Sequence, residues 1–140
     1  MTKKVCIVSA HYYKKITSNL YKGAISEIDK HKITSEWIKV PGIFEIPVTI
    51  AKNIELYDAF IALGCVIKGE TPHFDLISKA VVNAIMDLSI KHKKPIGNGI
   101  ITCLSKKQAV ERADPNKKNK GREAARAALS VLGILKNESK

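Results

Sequence analysis

Apolar positions follow two different periods along this chain. Four short runs rich in β-branched residues predict strands at residues 5–10, 33–40, 59–67 and 96–104. Longer segments between and after these runs predict helices around residues 16–30, 44–56, 73–91, 105–113 and 119–135. In the third helix, apolar residues three or four positions apart indicate one buried face: Phe74, Ile77, Val81, Ile85 and Leu88.

Strands that alternate with helices predict a parallel sheet covered by helices on both faces. The near-continuous apolar strands agree with this, because parallel strands are buried on both sides. No linker or repeat divides the chain, so we expect one domain over residues 1–140. Ligands of such sheets bind outside the carboxyl ends of the strands. The segments of interest are therefore 10–13, 41–45, 68–73 and 103–105.

The segment at 64–75 (GCVIKGETPHFD) carries the strongest chemical signal. Thr71 is placed to cap the next helix, and Pro72 falls at its first position, where a missing N–H removes no helical bond. The backbone amides of residues 69–71 then form an anion site, with His73 beside it as a neutral proton carrier. The residues alone leave open a plainer reading, in which this is a well-capped helix with a surface histidine.

Three further elements follow strand ends. In VPGIFEIP (40–47), Phe44 offers an aromatic face and Glu45 a carboxylate, although both also suit a core ring and a helix N-terminal acid. Tyr12 follows the first strand and is a further aromatic residue at the same edge of the sheet. Arg112 ends the short helix that Ser105 and Gln108 open with a capping-box pattern, and its guanidinium suits either phosphate or a surface ion pair.

The remaining histidines carry weaker signals. His11 follows the first strand at the ligand-facing edge but has no evident partner, so we interpret it as a bystander. His31 and His92 lie among lysines, and we expect both to be solvated.

Composition narrows the possible functions. The formal net charge is +11, but lysine outnumbers arginine 21 to 3 and is spread along the whole chain, which is typical of a solvated surface. No zinc-finger spacing, RNP-type aromatic pair, Walker loop or GxGxxG occurs. The three cysteines are expected to be reduced core thiols, with no metal site. No apolar run approaches the ~20 residues of a membrane span, and no signal-peptide layout is present, so we expect a cytoplasmic protein without nucleic-acid or membrane partners.

Five segments together resemble the lumazine synthase family: PGIFEIP, ALGCVIKGETPHFD, IGNGIIT, QAVERA and NKGREAARAAL. Their order and spacing match that family from about residue 5 to residue 133. The resemblance implies a three-layer flavodoxin-like α/β sandwich with a four-stranded parallel sheet. It also implies the penultimate step of riboflavin biosynthesis, in which 5-amino-6-(D-ribitylamino)uracil condenses with 3,4-dihydroxy-2-butanone 4-phosphate without a metal or redox cofactor.

The resemblance also implies roles for individual residues. His73 matches the proton-transferring histidine, Arg112 the phosphate-binding arginine, and Tyr12 the aromatic that stacks on the pyrimidine. Glu70 and Thr71 match the phosphate loop, and Lys120 matches a lysine near the site. The positions that match the lining of the ribityl and uracil pocket are Ile43, Phe44, Glu45, Cys65, Val66 and Ile67.

Four positions depart from the common family pattern. Asn98 stands where many members have a phenylalanine that stacks over the ring from a neighbouring subunit, so a hydrogen bond replaces that contact. Tyr13 replaces a common asparagine, Ile43 a small residue and Lys68 a frequent arginine. The replacements at Tyr13 and Ile43 predict a changed pocket shape, and Lys68 keeps the charge of the arginine.

Family members assemble as pentamers with active sites between adjacent subunits, and some pentamers build a sixty-subunit shell. The predicted first strand begins four residues into this chain, without the longer extension often seen in shell-forming members, so we expect a homopentamer. Two other readings stay open on the residues alone. One is a noncatalytic module that binds a flavin or lumazine, and the other is a basic protein that binds RNA or DNA.

Overall fold

The computed structural model describes residues 2–70 and 73–135. Its strands are β1 (Lys3–Ala10), β2 (Ile33–Val40), β3 (Ala59–Ile67) and β4 (Ile96–Cys103). Its helices are α1 (Lys14–Ile28), α2 (Ile46–Lys52), α3 (Phe74–His92), α4 (Lys106–Arg112) and α5 (Lys120–Val131). Each predicted strand and helix is therefore present. Across the described residues, none of the helices combines the length and apolar character needed to cross a membrane.

Two predicted helices are shorter than expected. Helix α5, predicted over 119–135, ends at Val131. The segment 44–56 forms a 3-10 turn at Ile43–Glu45 followed by α2, which ends at Lys52. Pro47 lies in the first turn of α2, where its missing N–H is tolerated. Asn53 ends the helix, because its side-chain amide donates to the Thr49 carbonyl at 2.7 Å and its backbone leaves the helical region.

The four strands form one parallel sheet in the order β2-β1-β3-β4. Strand β3 lies inside the sheet, and all nine of its residues are buried. Strand β2 forms one edge, and none of its residues is fully buried. The predicted α/β class with a four-stranded parallel sheet is confirmed.

Two apolar cores separate the sheet from its helices. On one face, Leu20 of α1 and Leu129 of α5 are fully buried against the odd-numbered residues of β1 and β3. On the other face, Ile50 of α2 and Ile85 of α3 pack with Phe60 and its neighbours. Each such side chain contributes about 1.5–3 kcal/mol through burial. The result is three layers, with helices on both faces of the sheet.

Helix α5 approaches the sheet closely because both surfaces carry small residues. A Cβ atom on Gly97 of β4 would lie 2.2 Å from the carbonyl oxygen of Ala124. Ala124, Ala125 and Ala128 are all buried at this contact. The alanine-rich segment therefore packs against its neighbour as its composition predicts.

Asn119 joins three parts of the chain from a fully buried position. Its side-chain Nδ2 donates to the carbonyls of Asn19, at 2.8 Å, and Ala113, at 2.7 Å. Its Oδ1 accepts the backbone N–H of Arg122 at 2.9 Å and caps α5. Gly23 of α1 makes room for this amide, since a Cβ there would lie 2.0 Å from Oδ1.

We predict that Asn119→Ala lowers the free energy of unfolding by about 2–4 kcal/mol, because three buried backbone groups lose their partner. Urea unfolding followed by circular dichroism measures this change. Asn116→Ala, at an exposed position in the same loop, is the matched control and should change stability little. Equal stability of the two variants would show that Asn119 does not join these segments.

Glu27 of α1 is the one buried carboxylate among the described residues, at 1% exposure. Arg126 of α5 donates to Oε2 at 3.1 Å, Lys30 lies 3.4 Å from Oε1, and His31 Nε2 lies 3.5 Å from Oε2. Burial alone raises the pKa of Glu27, but the charges of Lys30 and Arg126, together with the nearby His31 ring, outweigh it. The net result is a pKa below the ordinary 4.5.

A lowered carboxyl pKa makes Glu27 stabilising above the pKa of the unfolded chain, and this contribution is lost as the pH falls through the folded-state value. We therefore predict that Glu27→Gln destabilises the fold at neutral pH by about 1–3 kcal/mol. The difference from wild type should shrink as the pH falls below 4.5. Thermal unfolding of both proteins between neutral and acid pH tests this, and a difference independent of pH would contradict it.

Candidate active site

A cavity of ≈ 200 Å³ opens at the carboxyl edge of the sheet. It lies beside the ends of β1 and β3, where the strand order reverses and where parallel sheets bind ligands. Its lining consists of Tyr12, Gly42, Ile43, Phe44, Cys65, Val66 and Ile77. The structure thus brings together five residues that the sequence predicts to contact substrate, from three separate segments of the chain.

Two aromatic rings of this cavity are open to solvent. Tyr12 is 68% exposed and Phe44 is 66% exposed, although both are large apolar side chains. The ring of Tyr12 meets that of Tyr13 edge to face, with centroids 4.9 Å apart. Exposed rings at a cavity provide stacking surfaces for a planar heterocycle.

Glu45 and Ile67 lie outside the lining of this cavity. Glu45 Oε1 accepts the backbone N–H of Gly42 at 2.9 Å, which closes the 3-10 turn, so one carboxylate oxygen has a partner within the chain. Its side chain borders the adjoining groove between α2 and α3, together with Phe44. Ile67 is buried in the core at 1% exposure.

The cysteines of this region hold their protons. Burial raises the pKa of Cys65 to about 12, with the neighbouring Cys103 adding to the effect. Burial also raises the pKa of Cys103, although the Arg112 guanidinium opposes the shift. All three cysteines are free and buried. Cys65 therefore presents a neutral thiol to the cavity and not a thiolate nucleophile.

The loop after β3 differs from the expected geometry. Helix α3 begins at Phe74, so His73 precedes the helix and does not lie one residue inside it. His73 has a left-handed backbone, with φ 66°, a conformation that histidine adopts more readily than most residues. Its carbonyl accepts the N–H of Ile77, a cavity residue, at 2.9 Å. The side chain of His73 is exposed at the end of this loop.

The expected anion-binding amides are only partly available. The backbone N–H of Glu70 donates to the Ile67 carbonyl at 3.2 Å, so the turn itself uses this amide. The Glu70 carboxylate accepts the Tyr13 hydroxyl at 3.3 Å, which connects the loop to the segment after β1. Thr71, predicted for the phosphate loop, and Pro72 lie outside the described residues.

Arg112 points to the carboxyl end of β4. Its Nη1 donates to the Thr102 carbonyl at 3.2 Å and lies 3.8 Å from the Cys103 sulfur. No ion pair to Arg112 occurs among residues 2–70 and 73–135, so the alternative pairing with Glu111 or Asp114 is not present there. The guanidinium is held at the sheet edge with donors left for an anion.

Asn98 and Lys120 also lie outside the cavity lining. Asn98 is exposed on β4 and borders a separate groove of ≈ 230 Å³ between α3, β4 and α5. Lys120 begins α5, and its ammonium pairs with Glu123 at 3.2 Å. The described residues contain no group of three or more His, Cys, Asp or Glu side chains placed to hold a metal ion.

Sequence reasoning missed the partners of His11. The ring Nε2 lies 2.7 Å from the hydroxyl of Ser9, which also accepts the indole N–H of Trp37 at 2.7 Å. The interpretation of His11 as a residue without a partner was therefore wrong. Ser9 and His11 are two positions apart at a strand end, so their side chains share a face, and this spacing was the available signal.

Comparison with known proteins is consistent across nearly the whole chain. The family model described as 6,7-dimethyl-8-ribityllumazine synthase matches residues 2–136. The 6,7-dimethyl-8-ribityllumazine synthase of Bartonella tribocorum is 45% identical over 97% of this chain and 93% of its own length. The 6,7-dimethyl-8-ribityllumazine synthase 1 of Rhodopseudomonas palustris is 44% identical over 98% of this chain and 88% of its own.

A solved structure adds a likeness in fold. A split-gene transketolase, in the form of an inactive tetramer of four beta chains, superposes with a TM-score of 0.56 at 15% sequence identity. The alignment covers 94% of this chain but 41% of that protein, so it concerns the α/β layers alone. The family match and the two relatives, in contrast, extend through the segments that surround the cavity, and the chain belongs to the 6,7-dimethyl-8-ribityllumazine synthase family.

Proposed function

We propose that this chain forms 6,7-dimethyl-8-ribityllumazine in the cavity beside the ends of β1 and β3. The substrates are 5-amino-6-(D-ribitylamino)uracil and 3,4-dihydroxy-2-butanone 4-phosphate, and phosphate and water are released. Family membership supports the reaction. The observation that supports the location is the placement of two exposed aromatic rings in one cavity, next to the loop that contains His73.

The aromatic rings bind the pyrimidine. Tyr12 and Phe44 offer faces to the planar uracil, while Ile43, Cys65 and Val66 exclude water from its edge. The neutral thiol of Cys65 keeps this wall uncharged. Glu45 accepts hydroxyls of the ribityl chain through the oxygen that Gly42 does not use, and the backbone of Ile67 completes this side of the site.

Arg112 and the loop of Glu70 and Thr71 hold the phosphate of the ketone substrate. The amine of the pyrimidine attacks the ketone carbonyl, and loss of water leaves an imine. Loss of the proton on C3 of this imine then expels phosphate from C4 with its electron pair, and the enol that remains at C3 tautomerises to a carbonyl. Attack by the ribitylamino nitrogen on this new carbonyl closes the ring with loss of a second water. His73 moves protons to and from these oxygen and nitrogen atoms. Orientation of two bound substrates supplies much of the acceleration.

Assembly into a homopentamer completes the site in this proposal. Asn98 borders a groove that is separate from the cavity of Tyr12, so a second copy is needed to bring Asn98 over the pyrimidine. The groove is also bordered by apolar side chains that are exposed in the single chain, Met86 at 56% and Val131 at 75%. Exposed apolar surface of this kind is typical of subunit interfaces. Within the assembly, residues 1–140 act as one domain in the cytoplasm.

Rapid formation of fluorescent lumazine from the two substrates, compared with a protein-free control, tests the reaction. Arg112→Ala should raise the KM for the ketone phosphate about ten- to hundredfold, since a charged hydrogen-bonding partner is lost. His73→Ala should lower kcat about a hundredfold with little change in either KM.

Lys107→Ala is the matched control for Arg112, because it removes an exposed cation from the same short helix. This variant should retain wild-type kinetics. A wild-type rate equal to the protein-free rate, together with tight lumazine binding, would instead support a noncatalytic binding module. Binding of RNA that weakens steeply with salt, without lumazine formation, would support the nucleic-acid alternative.

Sedimentation should give a particle of five chains of 15.4 kDa each. Met86→Glu places a charge in the groove and should release smaller species that lose most lumazine-forming activity. Leu56→Glu is the matched control, since Leu56 is equally exposed, at 60%, but lies outside the groove. A megadalton particle would replace the pentamer by the sixty-subunit shell, and an active monomer would exclude a shared site.

A further inference from the structure

A chain of two short hydrogen bonds ends at His11, the residue that precedes Tyr12 of the cavity. The indole N–H of Trp37, on β2, donates to the hydroxyl of Ser9, on β1, at 2.7 Å. The same hydroxyl lies 2.7 Å from Nε2 of His11. Ser9 is completely buried, so water does not replace either contact. Trp37 itself is held by a stack on Tyr21 of α1, with ring centroids 3.5 Å apart.

One direction of these bonds uses the Ser9 proton within the chain. Indole nitrogen is a donor only, so the Ser9 oxygen accepts from Trp37. When the Ser9 proton is directed to His11, Nε2 accepts it and the ring proton resides on Nδ1. Donation then runs from Trp37 to Ser9 to His11, and the imidazole that accepts in this order is neutral.

Protonation of His11 would reverse the second bond. An imidazolium would donate from Nε2 to the Ser9 oxygen, and the buried Ser9 proton would lose its acceptor. The charged groups that act on the ring, Lys39 of β2 and Lys14 of α1, also oppose a positive charge. Burial first, and then these two lysines, lower the pKa of His11 below the ordinary 6.5.

His11 connects two segments that line the cavity. Its backbone N–H donates to the carbonyl of Val40 at 2.9 Å, immediately before the turn at residues 41–42. The next residue along the chain is Tyr12, and both Tyr12 and Gly42 line the cavity. The bond from His11 to Val40 therefore fixes the backbone that leads into Tyr12 relative to the turn that precedes Phe44.

We propose that the Trp37–Ser9–His11 chain is a positioning device, which holds neutral His11 so that Tyr12 is set for stacking on the pyrimidine substrate. The proposal rests on the proposed function for the identity of the ring that Tyr12 contacts. His11 is a positioning residue here, since the cavity lining contains Tyr12 and not His11. Its effect should appear in pyrimidine binding and not in phosphate binding.

Steady-state kinetics separate these two effects. Ser9→Ala and His11→Ala should each raise the KM for 5-amino-6-(D-ribitylamino)uracil about five- to tenfold, the value of one or two net hydrogen bonds. The KM for the ketone phosphate and kcat should stay within about twofold of wild type. His11→Gln offers an amide oxygen near the position of Nε2 and should restore the pyrimidine KM. Ser35→Ala is the matched control, because it removes a serine hydroxyl near the start of β2. It should leave both KM values unchanged.

The pH dependence of ligand affinity provides a second readout that a purely structural residue would not move. Wild-type affinity for 6,7-dimethyl-8-ribityllumazine should fall as the pH is lowered through the pKa of His11, which lies below 6.5. The glutamine of His11→Gln does not titrate, so this variant should not lose affinity over the same pH range. Emission from Trp37, the single tryptophan of the chain, reports the same titration without requiring any catalytic activity.

The results distinguish this inference from the proposed function. An unchanged pyrimidine KM in both Ser9→Ala and His11→Ala, or a loss of affinity at low pH that persists in His11→Gln, would overturn the positioning role while lumazine formation stands. Absence of lumazine formation in the wild type would overturn the proposed function. Even if the wild type forms no lumazine, Trp37 emission that changes with pH in the wild type but not in His11→Gln would establish the Trp37–Ser9–His11 hydrogen bonds. If Ser9→Ala fails to fold, His11→Ala and His11→Gln decide the question alone.

Discussion

Burial of the parallel sheet on both faces is the constraint on which the rest of this structure depends. Strand β3 has no residue exposed to solvent, and its neighbours on the sheet contact apolar cores above and below. Such a sheet leaves little of either face open to a ligand. The candidate site residues therefore lie mainly near the carboxyl ends of the strands and in the segments that follow them, and the strand order decides which of these become neighbours.

The order β2-β1-β3-β4 brings together residues that are far apart in the chain. Tyr12 after β1, Phe44 after β2 and Cys65 near the end of β3 meet in one cavity because their strands are adjacent or nearly so. Strand β4 lies next to β3, but its residue Asn98 pairs with Ala62, three residues before Cys65, and borders another groove. In the proposal, a site that uses both regions draws on two copies of the chain.

Burial and neighbouring charges set the charge state of three groups, of which Cys65 lines the cavity. Burial keeps the Cys65 thiol protonated and disfavours the charged form of His11, while Glu27 stays ionised because three basic side chains surround it. The high positive charge of the chain acts in the same direction at His11, through Lys14 and Lys39. Two lysines of a surface whose composition indicates no specific partner thus lower the pKa of the His11 ring. The cavity itself remains apolar and aromatic, with its charge at the rim.

The sequence by itself determined the fold class and the strands. Periodicity and β-branched runs located β2 and β3 to the residue, and the family resemblance named Tyr12, Ile43, Phe44, Cys65 and Val66, which meet in the cavity. These features are local or arise from parallel-sheet topology, so a linear pattern carries them.

The tertiary structure alone decided the start of α3 after His73, the use of the Glu70 amide within its own turn, and the partners of His11. Each of these depends on a backbone angle or on a contact between strands far apart in the chain. Trp37 and Ser9 are 28 positions apart, and only the pairing of β1 with β2 places the indole N–H against the hydroxyl. Hydrogen bonds act over about 3 Å, and sequence spacing does not specify distances at that scale between separate strands.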